Sequence, residues 1–98
     1  MQRNLPTFEF KTCTVYIEGV LIKDMPFDGR VTIDACGSIV KIEQRLPRKL
    51  LDGQEWLHIT RHECHALHEA LYYGVHRQYQ QELDEIIEGW HNEVPAVA

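Results

Sequence analysis

Long apolar runs are missing from this sequence, and so is a charged start that leads into one. The chain opens MQRNLPTFEF, and nowhere does an uninterrupted apolar stretch approach the roughly 20 residues of a membrane span. The expectation is a chain that neither crosses a membrane nor carries a secretion signal. Cysteine is scarce as well: Cys13, Cys36 and Cys64 are odd in number and widely spaced, which fits reduced thiols in a cytoplasmic protein better than a disulfide framework. Basic residues run out halfway. Residues 1–49 hold eight Lys/Arg against six Asp/Glu, and residues 50–98 hold two against nine, so the halves carry about +2 and −7. That imbalance argues against broad contact with nucleic-acid phosphates, which reward clustered Lys/Arg, and leaves room for a basic protein partner.

Signatures of catalysis are absent too. There is no Walker loop, no G-x-G-x-x-G, no G-x-S-x-G and no pair of metal-binding carboxylates. The expectation is a protein that is not an enzyme. What is present, 44% hydrophobic and 26% charged residues in a chain of 98, is the mixture of a globular protein, large enough for one core and one domain over 1–98.

The pattern along the chain predicts an α+β fold, an N-terminal antiparallel sheet of three to four strands followed by one long or broken helix. Strands are expected at roughly 8–22, 31–35 and 39–45, with a further one at 55–59. The first of these is dense in β-branched and aromatic residues, and Glu18-Gly19 within it suits either a tight turn or a bulge. Pro26 and Asp28-Gly29 read as a connection, after which Val31, Ile33 and Ala35 alternate with polar residues. Cys36-Gly37-Ser38 reads as the next turn, and Val40 and Ile42 alternate beyond it.

Thr60-Arg61-His62-Glu63 has the form of a capping box, in which a threonine hydroxyl accepts from an amide three residues on. It predicts a helix over about 61–91. Cys64, Leu67, Leu71, Val75, Tyr79, Leu83, Ile86 and Trp90 recur every three or four residues as an apolar stripe. A helix of that span is roughly 45 Å long, more than the roughly 26 Å implied by the compactness of an ordinary 100-residue domain. It must therefore break near Gly74 or project at its end. A projecting end would expose Ile86 and Trp90 among Glu82, Asp84, Glu85 and Glu88, a surface for a protein partner or a second copy of the chain; the alternative is that Trp90 folds back onto the sheet.

Two weaker chemistries are spelled by the same residues. All six histidines fall in the second half, and Cys64 and His68 stand one helical turn apart on the expected apolar face, a spacing that two ligands of a zinc ion can share, with His65 as a further candidate. The zincin pattern is not met, because His62 and His65 are three apart rather than four and Ala66 stands where the second ligand belongs. Cys64 in mid-helix is poorly placed as a nucleophile. Arg45, Arg48 and Lys49 form a small basic loop, the one feature that suggests weak nucleic-acid binding. Near pH 6 protonation of the histidines would remove much of the negative charge of the second half, so association through it is expected to depend on pH.

In size, acidity and lack of catalytic residues the chain resembles the small accessory proteins of phages and mobile elements that bind and block a host protein. The resemblance implies a protein-binding, inhibitor-type role with the acidic helix as the gripping element, ahead of a zinc module and, third, a nucleic-acid binder.

Overall fold

A computed structural model describes residues 4–47 and 53–92. Within them the order is β1 (Thr7–Ile17), β2 (Val20–Ile33), β3 (Ile39–Arg45), β4 (Trp56–Ile59) and α1 (His65–Asn92). The strands pair antiparallel in sequence order, so the α+β arrangement read from the sequence is the one observed. No helix among the described residues is long and apolar enough to cross a membrane.

Of the two readings open for 8–22, a strand with a bulge or a hairpin with a tight turn, the structure has the hairpin. Ile17 pairs with Val20, and Glu18 and Gly19 between them have φ of 51° and 83°. Positive φ at both positions is the type I′ turn, whose twist suits a two-residue hairpin. Glycine adopts that region freely, whereas glutamate is strained there. Replacing Glu18 by asparagine, which tolerates it, should stabilise the fold by about 0.5–1 kcal/mol and raise the melting midpoint by a few degrees in a thermal scan. An unchanged midpoint would mean that the turn is not strained.

The expected connection at Pro26–Gly29 does not exist: β2 runs through it. The turn-forming residues are absorbed by a bulge. Phe10 pairs with Gly29 and Thr12 with Pro26, leaving Phe27 and Asp28 opposite Lys11, and a bulge is a position where a strand tolerates proline. A second irregularity sets Lys23 and Asp24 opposite Thr14, and there the Asp24 amide donates to the Thr14 hydroxyl at 3.1 Å.

Thr14 is also where the helix docks. Its amide donates to the Gln78 side-chain oxygen at 2.8 Å, its carbonyl accepts from Arg77 at 3.4 Å, and the Tyr79 hydroxyl donates to the Thr12 carbonyl at 2.7 Å. Helix side chains thus satisfy backbone groups along the outer edge of β1. Gly74 permits this closeness, because a Cβ placed on it would stand 2.9 Å from Cys13 Sγ, from the Thr14 carbonyl oxygen and from Val15 Cγ1.

The helix does not break at Gly74. It is kinked instead at Tyr79, whose φ of −117° and ψ of 19° leave the helical region and divide it into two helical stretches. Nor does it start at Arg61. The Glu63 amide donates to the Thr60 hydroxyl at 3.1 Å as the capping pattern requires, but the turn so closed is separate, and the helix proper begins one turn later at His65. The length conflict is resolved by the sheet. A 14-residue strand and a 28-residue helix both come to roughly 40–45 Å, so the hairpin is long enough to bed the helix, and the molecule extends 51 × 35 × 23 Å.

One core cluster lies between the sheet and α1. It includes the fully buried Val15, Val31, Ile33, Ile42, Leu71, Val75 and Leu83. Each such side chain contributes about 1.5–3 kcal/mol by leaving water. The opposite sheet face is charged. In register across the four strands run Glu9, Arg30, Glu43 and His58, so Arg30 stands between two carboxylates.

Candidate functional site

That charged face uses up its cations. Arg30 meets Glu43 at 2.8 Å and Lys11 meets Asp28 at 3.0 Å, while Arg45 reaches Glu9 and Glu55 at 2.7 Å each and Asp28 at 3.5 Å. The guanidinium groups of Arg30 and Arg45 lie 4.1 and 4.5 Å from the centre of the Trp56 ring. Burial pushes the Glu43 carboxyl up, but the hydrogen bond and charge of Arg30, with Lys41 and His58, outweigh it and hold the group below its ordinary value. Arg45, expected as a nucleic-acid contact, is therefore engaged by three carboxylates. Arg48 and Lys49 lie outside the described residues.

The expected metal ligands do not converge. Cys64 is exposed at the bend before α1 rather than on the buried stripe, because the helix starts after it. His65 pairs with Glu69 at 3.3 Å, and His68 stacks on Tyr72. Burial first, then the charges of Arg61, His58 and His65, hold the His68 imidazole below its ordinary value, so it resists the protonation assumed for it near pH 6. Cys13 lies under Gly74, its thiol pushed up to about 11 by burial against the opposing pull of Arg77. Cys36 is exposed in the β2–β3 turn. Among the described residues no group of three or more His, Cys, Asp or Glu side chains is arranged to hold a metal ion.

At the end of α1 the structure has the folded-back arrangement and not the free tip. Leu83 is fully buried, Ile86 and Ile87 pack against the core, and the Trp90 ring folds back so that its N–H donates to the Asn4 carbonyl at 3.1 Å. His91 Nε2 donates to the Ala35 carbonyl at 3.0 Å. Trp90 is thus half-buried rather than projecting. A shallow groove of about 380 Å³ remains beside it, lined by Pro6, Glu85, Ile86, Gly89 and Trp90.

Glu82, Asp84, Glu85 and Glu88 are all exposed, and Glu85 lines this groove. Asp84 and Glu85 accept from Gln80 and Gln81 on their own helix, yet none of the four is in an ion pair, whereas Glu9, Asp28, Glu43 and Glu55 on the sheet each hold a Lys or Arg. No Lys or Arg occurs between Gln78 and Asn92. The negative potential of this segment is therefore open to solvent.

A second concave surface was not visible in the sequence. Tyr16, Glu18, Glu69, Ala70, Tyr73 and Arg77 line a cleft of about 500 Å³ between the hairpin end and the first half of α1. Tyr16, Val20, Leu21 and Tyr73 are the large apolar side chains exposed in this region, at 51, 62, 43 and 58%. Its one advance signal is the run Val20-Leu21-Ile22, which alternation alone does not bury. Arg77 occupies part of the cleft, with its guanidinium 5.2 Å from the centre of the Tyr16 ring.

Comparison of the chain with protein-family models, with curated proteins and with solved structures finds no match.

Proposed function

We propose that this is a non-enzymatic interaction protein, of the accessory or inhibitor type, that grips a basic protein partner with the acidic segment of α1 beyond the bend at Tyr79. The observation that supports this reading is the set of four exposed carboxylates at 82, 84, 85 and 88, left without cations while Glu9, Asp28, Glu43 and Glu55 on the sheet each hold a Lys or Arg. Uncompensated like charges repel one another and reduce stability, so their arrangement gains most when a complementary surface meets them. The neighbouring groove supplies the apolar contact that specific association needs, since rim charges set encounter rate and register more than affinity.

The test is affinity purification from a native lysate with the wild-type chain beside a Glu82→Gln/Glu85→Gln/Glu88→Gln variant. A stoichiometric partner should stay on the wild type and be reduced by about tenfold or more on the variant, with release as salt shortens the screening length. Equal retention on both would remove the acidic segment from the interaction.

A further inference from the structure

Gly89 has no structural task within the described chain. Gly74 is explained by its contact with β1, but a Cβ added at Gly89 would find nothing within 4 Å. Glycine inside a helix costs up to about 1 kcal/mol relative to alanine, so its smallness here brings the fold no return. Its position is informative. At about 100° per residue, Glu82, Glu85, Ile86 and Gly89 fall within about 100° of one another on the helix surface, with Gly89 between the two acids. Pro6 and Trp90 close the other side of the same groove.

We infer that the space over Gly89 is a seat for one large apolar side chain of a partner segment whose flanking lysines or arginines meet Glu82 and Glu85. This deepens the interaction reading and rests on it. The occupant is specified by two independent features. Open space floored by glycine and walled by Ile86, Pro6 and Trp90 takes an aliphatic or aromatic group, and the carboxylates beside it select cations on the neighbouring positions of the partner. A basic amphipathic helix presents such a pattern, with an apolar anchor and Lys/Arg three or four residues away.

The test uses Gly89→Leu together with synthetic basic helical peptides carrying one central Leu, Phe or Trp, and a matched peptide with Ala there. Because a Cβ at 89 meets none of the described residues within 4 Å and leucine favours the helix, the variant should fold with an equal or higher melting midpoint. Its binding to the Leu, Phe or Trp peptides, read by calorimetry, should be weakened about tenfold or more, as should binding of the Ala peptide to the wild type. Binding that is lost in the Glu82/Glu85/Glu88 variant but unchanged in Gly89→Leu would overturn the seat while leaving the acidic reading in place. Failure of every basic peptide to bind the wild type would overturn both.

Discussion

Placing alanine at Gly74 is expected to destabilise the protein by about 1–2 kcal/mol, although alanine is the better helix former. The sign is decided by two opposed magnitudes. Helix propensity favours the change by about 1 kcal/mol, whereas overpacking a tight contact costs about 1–3 kcal/mol. The contact is tight on three sides at once, with Cys13 Sγ, Val15 Cγ1 and the Thr14 carbonyl oxygen each 2.9 Å from the added carbon. The carbonyl is the least able to move, because Thr14 is held through its own amide by Gln78 and through its hydroxyl by Asp24. Gly74→Val should cost about 3 kcal/mol or more, a fall of more than about 10 °C in the melting midpoint of a domain this size. Circular dichroism melts of the two variants check the series, and an alanine variant as stable as the parent would show that helix and strand do not meet as closely as described.

Leu83→Ala is expected to cost about 3 kcal/mol, within the usual range for emptying a leucine site, and to do so unevenly along the helix. Before the bend at Tyr79 the helix is fastened by Ala70, Leu71, Gly74 and Val75, all buried. Beyond it Leu83 is the fully buried side chain, supported by the partly buried Ile86 and Ile87 and by the polar bonds of Trp90 and His91. Amides of residues 84–92 should therefore lose most of their hydrogen-exchange protection in the variant, while those of 69–78 keep theirs. Uniform loss along the whole helix would mean that the bend does not divide it into separately anchored parts.

The elements most legible in the sequence were those decided locally. The apolar stripe from Leu67 to Ile86 announced the helix, and alternation around Ile33 and Ile42 announced the central strands, because each pattern is a projection of one buried face. What stayed hidden was decided at a distance. Pro26 and Asp28-Gly29 carry the chemistry of a turn, and only Lys11 and Thr12 across the hairpin make them a bulge. The bend at Tyr79 coincides with a hydroxyl bond to Thr12, a residue 67 positions away. Trp90 was visible as the last residue of the apolar stripe, but its resting place depends on the Asn4 carbonyl, which no periodicity announces. The acids at 82–88 were read directly. Gly89 was passed over, since a glycine on a helix says nothing until the space above it is known.

The way α1 fastens to Thr12 and Thr14 bears on how the protein behaves in concentrated solution. A sheet bordered by a long bare strand invites further strands and can seed fibrils. Here one border, 11 residues long, is occupied by Arg77, Gln78 and Tyr79, and the other is β4, with four residues and a histidine and a tryptophan among them. The helix that offers its acids outward therefore also covers part of the strand edge most open to further pairing, so removal of α1 is expected to leave the Thr12 and Thr14 backbone groups free to pair with another strand.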